Sequence, residues 1–282
     1  MTADLAPGRT VGRVLIVAGS DSGGGAGIQA DIKAVTALQG YAMTAITALT
    51  AQNTEGVFGV HAPPPAFVAE QMRLVLSDIG ADCVKIGMLH NVGVIEAVAD
   101  ALEAHAAGVP VILDPVMVAK GGAPLLEPDA IDAYRARMPR LATMLTPNLP
   151  EAAVLLGRRI ETAADQDAAI DAARGLGAAA VLLKGGHLDG DMVRDLLIER
   201  DAVTAFANPR IETRHTHGTG CTLASAIATG VAQGLGLRDA TGRAIAYVRE
   251  AIRTAPGFGR GHGPLNHGHT VAPFDSRADR EG

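Results

Sequence analysis

The sequence predicts an α/β fold: a three-layer α/β/α domain around a mainly parallel central sheet. Short β-branched runs, apolar on both faces, alternate with longer segments of helical period, as in sheets covered by helices on each side. Each run ends in a Gly or polar cluster, and open α/β sheets place their ligands at the carboxyl ends of their strands. The 282 residues, 48% hydrophobic and 19% charged, suffice for one such domain, and no linker divides them.

In chain order, the expected strands are Val14–Ala18, Met43–Leu49, Cys83–Ile86, Val109–Leu113, Thr143–Leu145 and Val181–Leu183. Ile28, Ile32, Val35 and Leu38 recur at helical spacing after the first strand, and Val92, Ile95, Ala99 and Leu102 after the third. Repeated strand–helix units imply right-handed crossovers. Met192–Ile198 and Ala202–Phe206 read as a hairpin turning at Glu199-Arg200-Asp201. A small-residue helix follows over Gly218–Gly234, and another over Asp239–Thr254 that stops before Pro256. Residues 1–10 and 270–282 are expected to be flexible ends around one domain, 11–269.

Composition narrows the function. Aromatics make up 3% with no Trp, which argues against base stacking on an aromatic platform. A net charge of −6 without a basic run argues against nucleic acid or another extended polyanion. Val14–Ala18 is too short to span a membrane, so no membrane partner is expected. Cys83 and Cys221 read as free thiols, which fits a reducing cytoplasm.

Several motifs sit where strands end. Gly19-Ser20-Asp21-Ser22-Gly23-Gly24-Gly25-Ala26-Gly27 joins a strand to a helix and lets backbone approach a ligand; it has neither Walker A nor dinucleotide spacing. Asp31, one turn into that helix, suits a ligand hydroxyl or a solvated surface. Gln52 offers an acceptor and two donors side by side, which matches an aminopyrimidine edge or serves a surface turn. Asp114 and Glu151 end or follow neighbouring strands and suit Mg²⁺, though first-turn acidic residues also serve helix starts. Lys184 closes an apolar strand, where an anion would offset its burial. His215-Thr216-His217-Gly218-Thr219-Gly220-Cys221 opens a helix with no large side chain in its first turn, which suits an anion hole or a plain helix cap with a small core cysteine; in the first case the helix field is expected to lower the Cys221 thiol pKa. His215 and His217 lack the partners of a zinc site, and His262, His267 and His269 read as loop or tail residues.

Together these segments resemble the hydroxymethylpyrimidine/phosphomethylpyrimidine kinases of thiamine biosynthesis, within the ribokinase-like superfamily. The matching strings include Ala18 to Asp31, Ile46 to Thr54, Lys85-Ile86-Gly87-Met88-Leu89, Leu113-Asp114-Pro115-Val116-Met117, Thr146 to Ala152, Leu183 to His187 and Thr216 to Thr222, in order from about Val14 to Pro264. The resemblance implies ATP-dependent phosphorylation of 4-amino-5-hydroxymethyl-2-methylpyrimidine and of its monophosphate, with Mg²⁺, in a homodimer. It places Gly19, Asp31, Gln52 and Met88 around the pyrimidine. Asp114, Asn148 and Glu151 fall on the metal and phosphate side, and Lys184 and Arg260 on the ATP side. Gly218, Thr219, Gly220 and Cys221 match the anion hole and catalytic base, where most of the wider superfamily has Asp. Arg260 stands where relatives often carry Lys. The nearest alternative is a pyridoxal or pyridoxine kinase, alone or as a side activity.

Overall fold

A computed structural model describes residues 11–119 and 121–272. Residues 1–10 and 273–282, which hold most of the expected flexible ends, lie outside the described residues.

The described residues form nine strands in one sheet: β1 (Arg13–Asp21), β2 (Tyr41–Gln52), β3 (Val57–His61), β4 (Cys83–Ile86), β5 (Val111–Leu113), β6 (Met144–Leu145), β7 (Ala180–Leu183), β8 (Met192–Glu199) and β9 (Val203–Pro209). Their order across the sheet is β3-β2-β1-β4-β5-β6-β7-β8-β9. The pairs from β2 through β7 are parallel, and β3, β8 and β9 add antiparallel edges. The α/β/α prediction is met, including the hairpin of β8 and β9. β3 is the strand the sequence reading lacks. Its five residues include Gly59, and Phe58 and Val60 are exposed, so no alternation of buried and exposed positions marks it.

Period-two alternation along the strands divides the interior into two cores. Leu15, Val17, Val84, Ile86, Leu113, Leu145, Val181 and Leu183 pack with helices α2 (Pro65–Asp78), α3 (Val92–His105), α4 (Ala130–Arg137), α5 (Leu149–Leu156) and α7 (Ile170–Arg174). The short α6 (Ala163–Ala168) lies between α5 and α7 in the chain. Val14, Ile16, Cys83, Ile112, Met144, Ala180 and Leu182 face the other way, toward α1 (Gly27–Ala37), α8 (Thr219–Ala232) and α9 (Leu237–Arg253). Large-to-small changes at such positions cost about 2–5 kcal/mol.

The buried face of α1 differs from the apolar spacing in one respect. Ile28, Val35 and Leu38 are buried, but Ile32 is exposed and Asp31 takes the interior position beside it. Val92 in α3 is likewise exposed while Ile95, Ala99 and Leu102 are buried. Near the C-terminal limit of the described residues, Thr270 Oγ1 donates to Ala37 O at 2.7 Å. No helix among the described residues is long and apolar enough to cross a membrane.

Candidate active site

The carboxyl ends of β1, β2, β4, β5 and β7 open into a cavity of about 820 Å³, closed on another side by the start of α8. β1 and β2 lose register between Ala18 and Ser20, and Ser20 forms an isolated bridge with Gly27. This turns the glycine loop back over the strand end. Gly27 has φ +55, and a Cβ there would lie 2.3 Å from Gly19 O. Gly218, which precedes α8, has φ +80, and a Cβ on it would lie 1.8 Å from Gly25 O. Glycine is required at both places by backbone conformation and by close approach. The glycine loop and the α8 start therefore touch, although they are about 200 residues apart in sequence.

No side chain caps α8, and its first turn, Thr219-Gly220-Cys221, lines the cavity. A helix start of this kind supplies backbone N–H groups and the positive end of the helix dipole. Asp114 Oδ1 accepts from Lys184 Nζ at 3.0 Å and from Thr146 Oγ1 at 3.2 Å, which ties the ends of β5, β6 and β7. Asp114 Oδ2 faces Gly220, 3.5 Å from where a Cβ would sit. Asn148 and Glu151 form a capping box at the start of α5: Asn148 N donates to Glu151 Oε2 and Glu151 N donates to Asn148 Oδ1. Burial pushes the Glu151 carboxyl up to about 7; the Lys184 ammonium opposes this and Asp114 adds to it.

Opposite lie Gly19, Gln52 and Met88. A Cβ on Gly19 would lie 3.0 Å from Met88 Sδ, so those two form a close wall. Gln52 is anchored by its backbone, which exchanges hydrogen bonds with Ser22 Oγ. Beside it is a pair the sequence reading passed over. Asp21 accepts from the amides of Gly23, Gly25 and Ala26, and its Oδ2 lies 2.9 Å from His217 Nε2. Burial raises the Asp21 carboxyl, but hydrogen bonds from His217, Ala26 and Gly23 outweigh it and hold the group below the ordinary carboxylate range.

Eleven of the thirteen residues singled out from sequence line this one cavity: Gly19, Gln52, Met88, Asp114, Asn148, Glu151, Lys184, Gly218, Thr219, Gly220 and Cys221. Two do not. Asp31 lies beneath the cavity floor, fully buried, with Lys85 Nζ at 2.8 and 3.0 Å and Ser225 Oγ donating at 2.7 Å. A carboxylate committed to these two donors through three contacts has no direct path to a substrate hydroxyl; Lys85 lines the cavity and Asp31 does not. Burial works against the Lys85 ammonium, but Asp31, Cys221 and Asp114 together outweigh it and raise its pKa. Arg260 extends into solvent and pairs with Glu55 at 3.0 Å, away from the cavity.

A third expectation reverses sign. Burial pushes the Cys221 thiol up to about 12, against the attraction of Lys85, with Asp31 and Asp114 raising it further and the Gly27 amide lowering it. In this arrangement the resting group is a thiol, and the helix start does not by itself make it a thiolate.

A family model described as phosphomethylpyrimidine kinase matches residues 21–266. The chain belongs to the phosphomethylpyrimidine kinase family. A hydroxymethylpyrimidine/phosphomethylpyrimidine kinase of Rhizobium meliloti is 46% identical over 258 residues, covering 90% of this chain and 96% of the relative. The thiamine biosynthesis bifunctional protein ThiED of Geobacter sulfurreducens is 54% identical over 260 residues, and the chain spans about half of that protein, 52%. Among solved structures, the pyridoxal kinase from Staphylococcus aureus in complex with pyridoxal superposes with a TM-score of 0.84 at 33% identity, covering 92% of this chain and 94% of that one. The chain is thus a kinase with the ribokinase-like α/β fold.

Proposed function

We propose that the cavity binds ATP and an aminopyrimidine bearing a hydroxymethyl group, transfers the γ-phosphoryl group to that hydroxyl, and transfers a second one, from a second ATP, to the resulting monophosphate. The observation that carries this reading is the placement of an uncapped helix start with Cys221 beside the Asp114–Lys184 pair, across one cavity from Gly19, Gln52 and Met88. The hydroxymethyl oxygen forms the new bond to phosphorus as the bond to the ADP oxygen breaks. Amides at the α8 start stabilise charge on the transferring group. The thiol first gives its own proton to solvent as the site loads, and the hydroxyl proton then passes to the Cys221 sulfur late in the transfer.

Asp114 and Glu151 fit Mg²⁺ of the kind that keeps most of its waters and takes one or two carboxylates beside phosphate. Asp114 Oδ2 and Glu151 Oε1 accept no hydrogen bond among the described residues. When bound there, the ion would offset charge on the β and γ oxygens. Because Glu151 is held up at about 7, a proton competes with the metal below that pH. Apparent Mg²⁺ affinity is therefore expected to rise by up to about tenfold per pH unit up to pH 7 and to level off above it. Titration of ATP-loaded enzyme with Mg²⁺ across pH 5.5–8.5 checks this, and Glu151→Gln should flatten the profile.

For the acceptor, Gln52→Leu should raise KM for hydroxymethylpyrimidine about tenfold or more with ATP KM nearly unchanged. Equal effects on both would refute the contact. Incubation with ATP, Mg²⁺ and the pyrimidine, with mass detection of one or two added phosphates, tests the whole reading. The structural likeness to a pyridoxal kinase supports pyridoxal as a side substrate, which competition at the same site would reveal. The same reading includes a cytoplasmic homodimer. Phe58 and Val60 on β3 and Phe67 and Leu74 on α2 are exposed apolar groups that such an assembly would cover.

A further inference from the structure

We propose that Asp21 and His217 are positioning residues that fix which way round the Gln52 amide faces the acceptor pocket, and so which ring edge the pocket accepts. This rests on the reading of Gln52 as a contact to the acceptor ring.

The argument is a count of protons. Asp21 is buried, 3% exposed, and its Oδ2 already accepts from Ala26 N at 2.8 Å and Gly25 N at 3.1 Å. Its contact with His217 Nε2 at 2.9 Å requires that nitrogen to carry hydrogen, since a bare ring nitrogen would set one lone pair against another. A flipped ring would set Cε1–H against the carboxylate and lose the bond, so the orientation with Nε2–H toward Asp21 is the satisfied one. A Cβ on Gly25 would lie 2.5 Å from His217 Cδ2, and His217 N donates to Gly263 O on the far side. The same Nε2 lies 3.2 Å from one end of the Gln52 amide. Thr50 Oγ1 lies 3.2 Å from the other end and donates to Ser20 O at 2.9 Å. A carbonyl only accepts, so the single Thr50 hydroxyl proton goes to Ser20 and the hydroxyl presents a lone pair to Gln52.

With Gln52 Nε2 toward His217, two donors would meet, and Oε1 toward Thr50 would compete with Ser20 for one proton. Turning the amide end for end removes both conflicts at no steric cost, because its two ends have the same shape. The Gln52 oxygen then shares His217 Nε2–H with Asp21 Oδ2 as the longer arm of a three-centre bond, and its NH₂ donates to Thr50. One oxygen lone pair and one N–H remain for a ligand in the cavity that Gln52 lines. An exocyclic amine beside a ring nitrogen complements that pair. A pyridine whose hydroxyl is not adjacent to the ring nitrogen does not.

The test joins kinetics to a direct view of the proton. His217→Ala should lower kcat/KM for 4-amino-5-hydroxymethyl-2-methylpyrimidine about tenfold or more, while that for pyridoxine changes less than about threefold. His217→Gln, whose Nε2 reaches the same place as a donor, should restore most of the loss. His217→Asn, which fills more of the space but ends short of Asp21, should behave like His217→Ala and replaces it if that variant does not fold. ¹⁵N shifts of the wild-type ring should show a protonated Nε2. Equal losses for both acceptors, no rescue by Gln, or a ring protonated at Nδ1 alone would each overturn the inference. If His217→Ala acts as expected for an acceptor contact but Gln52→Leu leaves pyrimidine KM unchanged, the Gln52 reading is what has failed, and the inference falls with it.

Discussion

Cys221→Ala is expected to lower kcat by about 10²- to 10³-fold while ATP KM stays within about twofold, the range that loss of a positioned proton acceptor produces. The anion hole survives the substitution because it is made of backbone, so residual turnover should remain well above the uncatalysed rate. The thiol pushed up to about 12 adds a second signature. If an ionised sulfur takes the proton, wild-type kcat should climb with pH through the neutral range, and Cys221→Asp should give a flat profile there because its carboxyl ionises lower. Initial-rate measurements on both variants between pH 6 and 9 check this. Turnover of Cys221→Ala close to wild type would remove Cys221 from the proton transfer.

Lys85→Met should cost about 3–5 kcal/mol of stability, because it leaves Asp31 as an unpaired carboxylate in the interior. The pair joins α1, β4 and α8 through Asp31, Lys85 and Ser225, so the loss falls on the elements that floor the cavity. At about 2–4 °C per kcal/mol for a chain of this size, Tm should drop by roughly 10 °C. Lys85→Met with Asp31→Asn removes both charges and should recover more than half of that loss. Thermal and urea melts of the single and double variants decide it. A single variant as stable as wild type would mean that the lysine contributes no net stabilisation.

Most of the parallel strands were legible because they are buried on both faces and read as nearly continuous apolar runs. Val14–Ala18 and Val181–Leu183 needed no tertiary information. β3 was not, since Phe58 and Val60 point to solvent and the strand exists by pairing with β2. The buried place of Asp31 was not legible for a related reason. Its spacing places it at a helix face near a strand end, but its partner Lys85 comes from a strand 54 residues away, and no local pattern links them. A signal was present: a lone lysine inside the apolar run Cys83-Val84-Lys85-Ile86 asks for a buried counter-ion. Asp21 and His217 were visible as members of motifs, but their contact depends on the glycine loop folding back onto α8. The Cys221 thiol shows the limit most directly. The helix start was readable, whereas the enclosure of the sulfur, and Lys85, Asp31 and Asp114 around it, were not.

The bridge from Lys184 to Asp114 has one more consequence on the proposed reading. The lysine keeps two further protons for an incoming phosphate, and the aspartate keeps Oδ2 for a metal while Oδ1 holds the lysine. Nucleotide and metal would then approach one bridged pair from its two sides, with neither having to break it. A resting site wired in this way carries little unclaimed charge to attract stray anions.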